Sequence, residues 1–166
     1  MNERQLILVL EDDGDDMFFM RRAFLKMGLG SSVRFALNGN EAISYLAGEG
    51  RFQNRAKYPA PSVVLTDLKM PFVDGFEVLE WMRKHPEYRD TPAFVLSGSD
   101  LAADRSKAEQ CGATGYFTKP RIPDKLLPLL KEMQQIWNKK LAHLHDIEPD
   151  GKPAIGCLPF PNPANA

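Results

Sequence analysis

Acids, a hydroxyl and an ammonium each follow directly on a short apolar run in this chain. Leu6–Leu10 is followed by Glu11-Asp12-Asp13, Ser62–Thr66 by Asp67, Ala93–Leu96 by Ser97-Gly98, and Tyr116–Thr118 by Lys119-Pro120. If the four runs are neighbouring parallel strands, these residues meet at one edge, because open parallel sheets bind ligands beyond the carboxyl ends of their strands. Carboxylates crowded there repel one another and shift their pKa values upward unless a cation neutralises them. Magnesium suits the donor set, since it takes oxygen ligands and binds through one or two carboxylates while keeping waters. Glu11, Asp12 and Asp67 carry three negative charges, and Mg²⁺ with Lys119 carries three positive ones. A hard cation beside a carboxylate, with an ammonium and a hydroxyl in reach, can hold a phosphoryl group in transfer, where positioning and charge neutralisation do most of the catalysis. Asp67 is then the nucleophile and acceptor of an aspartyl phosphate.

The elements that would place these groups are legible in the hydrophobic pattern. The apolar run Leu6–Leu10 fits a strand buried on both faces. A helix follows from Asp15 to Met27, with Met17, Met20, Phe24 and Met27 three and four apart and Gly28 as its stop. The alternation continues with strands at 32–36, 62–66, 93–96 and 116–118 and helices at 40–47, 76–84 and 101–111, and a last helix starts near Pro123. Five strands alternating with five helices predict an open α/β sheet with crossover helices. The segment Gly48–Pro61 has no periodicity and reads as a long surface loop. Asp15 and Asp16 read as acids favoured by a helix N-terminus. Asp74-Gly75 supplies the cap of the helix after Asp67, which leaves Asp67 free of that role. Tyr116 stands open between a core residue and a switch, and Cys111 reads as small apolar packing.

With 166 residues, 43% of them hydrophobic and 26% charged, the chain can bury one domain-sized core. No apolar run approaches the ~20 residues needed to cross a bilayer, and Met1-Asn2-Glu3-Arg4 has no leader pattern, so a cytosolic protein is expected. A formal charge of −1 gives no electrostatic footprint for nucleic acid or anionic lipid. Two cysteines do not make a disulfide framework or a thiolate metal site. His143 and His145, two apart, do not suit a helical metal site either.

At these residues the chain resembles the receiver domains of two-component response regulators, over about residues 5–140. Glu11-Asp12 resembles the family's paired acids, Asp67-Leu68-Lys69-Met70-Pro71 with Asp74-Gly75 its acceptor loop, and Ser97-Gly98 its hydroxyl and small residue. Tyr116 with Lys119-Pro120 resembles its switch aromatic and lysine. The resemblance implies a doubly wound, flavodoxin-like (βα)5 fold with a five-stranded parallel sheet. It also implies Mg²⁺ held by Asp12, Asp67 and the backbone carbonyl of Lys69, with Glu11 acting through water. Asp67 becomes the phosphorylation site, Ser97 and Tyr116 the switch pair, and Lys119-Pro120 a cis peptide that places the ammonium over the phosphate. Serine at 97, where threonine is commoner, and the cation Lys69 beside the acceptor are departures from the family pattern. Tyr45-Leu46, Gly48-Glu49-Gly50 and the long approach to the third strand are similar to small regulators paired with phytochrome-type histidine kinases.

A signalling acceptor is favoured over an enzyme. In phosphohydrolases of the haloacid-dehalogenase pattern a second aspartate stands two positions after the nucleophile; here that position is Lys69. Without a placed acid or base an acyl phosphate persists, which suits a signal. A receiver that works without phosphorylation would have lost acids or the lysine, and none is lost. Gly28-Leu29-Gly30 follows a helix rather than a strand, so a dinucleotide-binding role fails. The expected partner is a sensor histidine kinase. After residue 140 an extension, Leu141–Ala166, holds five prolines beyond Asp146 and cannot form a DNA-binding domain. Leu126, Leu130, Met133, Trp137, Leu141 and Leu144 continue an apolar stripe beyond what a five-stranded sheet needs, which predicts a homodimer through the last helix, with Ile155, Leu158 and Phe160 of the tail as further anchors.

Overall fold

The computed structural model describes residues 5–145. The strands are β1 (Ile7–Leu10), β2 (Val33–Ala36), β3 (Val63–Thr66), β4 (Ala93–Ser97) and β5 (Gly115–Thr118). They alternate with α1 (Gly14–Lys26), α2 (Gly39–Ala47), α3 (Gly75–Lys84), α4 (Ala102–Gln110) and α5 (Leu126–His145). The sheet is parallel throughout, in the order β2-β1-β3-β4-β5. The chain leaves β1 for β2 on one side and returns to β3 on the other, so the crevice of the doubly wound sheet opens above β1 and β3.

Strand side chains alternate between two cores. On one face Ile7, Val9, Val63, Leu65, Phe94, Leu96 and Phe117 pack under α1 and α5, through Met20, Phe24, Leu130, Met133 and Trp137. On the other, Leu8, Leu10, Val64, Val95 and Tyr116 pack under α2, α3 and α4. Burial on both faces is why the strands read as continuous apolar runs. Side-chain caps start three helices: Asp13 accepts from Asp16 N–H, Asn38 from Glu41 N–H, and Asp74 forms a reciprocal capping box with Glu77. Gly28, with φ of 74°, takes the left-handed position that stops α1.

Two expectations are corrected. The apolar stripe of the last helix needs no external cover: Leu126, Leu130, Met133, Trp137 and Leu141 are all buried within the chain. At 20 residues α5 is ~30 Å long, enough to run beside α1 across the whole sheet face. Its last turns reach the loops at the opposite sheet edge, where Leu141 and Leu144 line a cavity of about 270 Å³ with Ser62 and Pro92. Of the stripe only Leu144 stays exposed, so the homodimer inferred from it loses its surface among the described residues. The tail residues invoked with it, Ile155, Leu158 and Phe160, lie outside the described residues. Helix α5 also continues to His145, past residue 140.

The segment 48–61 is an anchored loop. Phe52 is buried, and the Tyr45, Phe52 and Tyr58 rings pack at centroid distances of 5.0–6.1 Å. Arg55 donates to the carbonyls of Tyr45, Leu46 and Tyr58, closing the end of α2 onto the loop. The second correction concerns Lys119-Pro120: no peptide bond among the described residues is cis. The Lys119 N–H donates to Ser97 O at 2.7 Å, and this extension of the ladder fixes where the lysine leaves the sheet.

Candidate functional site

Register assembles the site. Leu10 pairs with Thr66 at the ends of β1 and β3, so the next residues, Glu11 and Asp67, emerge side by side. Backbone bonds continue one step past the strands, with Glu11 N–H on Ala36 O at 3.0 Å and Asp67 N–H on Leu10 O at 3.1 Å. Ser97 pairs with Thr118, which brings Lys119 to the same edge.

The ammonium of Lys119 binds three carboxylates: Glu11 Oε2 at 2.5 Å, Asp67 Oδ2 at 2.8 Å and Asp16 Oδ2 at 2.8 Å. Carboxylate oxygens of Glu11, Asp12 and Asp67 lie within 4.8 Å of one another. Asp67 Oδ1 accepts the Leu68 N–H at 2.6 Å and, more distantly, the Lys69 N–H at 3.4 Å. One acceptor oxygen is therefore held by backbone and the other faces the ammonium. Burial pushes the Glu11 carboxyl up, against the pull of Lys119 beside it. Burial alone would drive the Lys119 ammonium down, but the bonds it donates to Asp16, Asp67 and Glu11 outweigh it and hold the group above its ordinary value. An all-oxygen, strongly anionic donor set of this kind fits a hard divalent cation.

The structure brings Glu11, Asp12, Asp67 and Lys119 together. Lys69 is exposed, two residues beyond the acceptor. Ser97 is buried at the end of β4, with its hydroxyl accepting the Ser99 N–H at 3.3 Å. Tyr116 sits in the core, where its hydroxyl donates to Ser99 O at 2.7 Å and the Arg105 guanidinium lies 4.5 Å above its ring. Ser99 in turn donates to Asp104, so Tyr116 is tied to the loop that starts α4. Cys111 is buried, in line with its apolar reading.

Asp16 was the residue that sequence reasoning missed. It lies in the first turn of α1, and side chains there tilt back toward the helix N-terminus, over the strand ends. Its spacing of four from Asp12 was the available signal. With Asp16 counted, the site holds four acids, three of them on Lys119, and the balance of three against three no longer describes it. The acceptor loop carries a second unanticipated feature. Phe72 has φ of 68° and is 90% exposed, so a bulky residue occupies left-handed backbone while burying almost nothing.

No helix among the described residues is long and apolar enough to cross a membrane. The family description "Response regulator receiver domain" matches residues 7–131. The chain is similar to the probable methanogenesis regulatory protein FilR2 of Methanothrix harundinacea, 29% identical over 132 residues, covering 80% of this chain and 83% of FilR2. It is similar to response regulator Rcp1 of Synechocystis, 25% identical over 136 residues, 82% of this chain and 90% of that one. Among solved structures it superposes on the phosphorylated cyanobacterial phytochrome response regulator RcpA with a TM-score of 0.74 at 28% identity, covering 80% of this chain and 93% of RcpA. It also shares the fold of an Mn²⁺-bound form of Rcp1, with a TM-score of 0.70 at 24% identity, covering 90% and 99%. Its phytochrome-associated neighbours, its parallel sheet and its acidic edge agree, and the chain belongs to the response regulator receiver domain family.

Proposed function

We propose that the protein accepts a phosphoryl group on Asp67 from a phosphohistidine of a sensor kinase and passes the signal on through altered protein contacts. The observation that carries this reading is the Lys119 ammonium 2.8 Å from Asp67 Oδ2, with carboxylate oxygens of Glu11 and Asp12, just beyond β1, within 4.8 Å of the acceptor's. An Asp67 oxygen attacks phosphorus, the P–N bond breaks, and the departing imidazole nitrogen keeps its electron pair. Lys119 neutralises charge gathering on the phosphoryl oxygens, and the Leu68 N–H holds the acceptor carboxylate in place. Asp12 and Asp67 would hold Mg²⁺ directly, with the Lys69 carbonyl as a further ligand and Glu11 acting through water. When bound, the ion supplies positive charge to the transferring group.

Incubation with Mg²⁺ and a small acyl phosphate, read as intact mass, tests the metal. Asp12→Ala protein, or wild type with a chelator, should label about a hundredfold more slowly, since a metal ion supplies several kcal/mol at ~1.4 kcal/mol per tenfold. Unchanged rates in both would reject the metal dependence.

The kinase is best sought among phytochrome-type light sensors, as the likeness to RcpA suggests. Initial transfer rates from candidate kinases of the same genome test the pairing, and equal rates from unrelated kinases would count against it. For the response, Ser97 turns from the Ser99 N–H toward the phosphoryl oxygens, and Tyr116 follows into the space released. The driving force is the charge-assisted bonds that exist only with phosphate present. Beryllofluoride should then change hydrogen-exchange protection in α4, β5 and α5; identical protection with and without it defeats the switch.

A further inference from the structure

An ammonium has three N–H donors, and in Lys119 all three are engaged, by Glu11, Asp67 and Asp16. A phosphoryl group on Asp67 brings new oxygens to this ammonium, and Lys119 can donate to one only by leaving an existing acceptor. The acceptors differ in what release costs. The Glu11 side chain is 2% exposed, and without its cation it would be a buried unpaired charge. Asp67 loses its charge on modification, so a first phosphoryl oxygen takes its place on the ammonium and only a second must displace Glu11 or Asp16. The Asp16 side chain is 42% exposed, in the first turn of α1, where water and the positive end of the helix can take over from the ammonium.

We propose that Asp16 is a positioning residue that holds Lys119 in the unphosphorylated protein and competes with the phosphoryl group for its ammonium. This rests on the reading of Asp67 as phosphoacceptor. Asp16 gives up Lys119 on phosphorylation, which couples the first turn of α1 to the state of the acceptor without any movement of Ser97 or Tyr116. As the pair is partly exposed, the competition is modest.

The test is beryllofluoride, which stands in for the phosphoryl group, titrated calorimetrically into the full chain at saturating Mg²⁺. Asp16→Asn protein should half-saturate at about threefold to fivefold lower beryllofluoride than wild type. The same variant should need more Mg²⁺ for half-saturation, because one negative charge has left the site. Asp16→Glu, which restores the charge, should return both values toward wild type. Opposite shifts in the two ligands are not what a merely structural role produces; local damage weakens both, and loss of a helix-terminal charge alone moves the unfolding temperature slightly and neither affinity. Equal or weaker beryllofluoride binding by Asp16→Asn overturns the proposal. Failure of the underlying reading looks different: wild type would not bind beryllofluoride, or Asp67→Asn would bind it equally well.

Discussion

Asp67→Asn protein, given Mg²⁺ and a small acyl phosphate, should gain no phosphoryl mass on a timescale that saturates the wild type, a loss of more than about a thousandfold. The amide oxygen lacks the charge and nucleophilicity of a carboxylate, while its shape is nearly the same. The Leu68 N–H keeps an acceptor, and Lys119 stays tied to Glu11 and Asp16, so the variant should fold with the edge of the sheet intact. The other acids do not replace it. Asp12 is exposed, and among the described residues the carboxylates on the ammonium are Glu11, Asp16 and Asp67. Glu11 is buried and Asp16 is carried by a helix turn rather than a strand end. Labelling at the wild-type rate would place the acceptor elsewhere.

Gly75→Ala should be the most damaging single methyl group in the acceptor loop. A Cβ at Gly75 would sit 2.1 Å from the Asp67 carbonyl oxygen and 2.9 Å from Thr66 Oγ1. The nearer atom is backbone at the end of a central strand, so relief requires α3 to back away from the sheet. The Gly75 N–H donates to Leu68 O at 3.1 Å, closing the acceptor loop on itself, and that bond moves with it. Overpacking of this kind costs about 3 kcal/mol, and a displacement of about 1 Å at the acceptor can cost a hundredfold in rate. Thermal unfolding and acyl-phosphate labelling measure the two effects. Gly14→Ala is the control, since nothing lies within 4 Å of a Cβ there. Wild-type stability and labelling in Gly75→Ala would mean that α3 is not seated on the acceptor strand as described.

Most of the site was readable because it hangs on strand ends, and strands buried on both faces announce themselves as apolar runs. Once Leu6–Leu10 and Ser62–Thr66 are strands, Glu11 and Asp67 follow by one residue each. What escaped depends on helix phase or on packing that leaves no periodic trace. Asp16 reaches Lys119 only because α1 begins at Gly14, and one acid of a run looks like any other until the helix start is fixed. Tyr45, Phe52 and Tyr58 cluster through a loop whose spacing has no period. The α5 stripe was legible residue by residue, but its cover was misjudged, because the sheet was counted and the flanking α1 and the loops at the far edge were not. The isomer of the Lys119-Pro120 bond and the left-handed turn at Phe72 are choices of the folded loop, and a chain written as letters does not display them.

The burial of α5 also has a meaning for synthesis. Ribosomes deliver the chain from the N-terminus, so every strand has emerged before the helix that completes one of the two cores. Until residues 126–141 follow, Ile7, Val9, Val63, Leu65, Phe94 and Phe117 face outward with only α1 to shield them. The nascent protein thus passes through a half-roofed stage, in which an apolar sheet surface is offered to chaperones and to other nascent chains. Leu130, Met133 and Trp137 end that exposure together, which ties the moment of full folding to the arrival of residues 126–141.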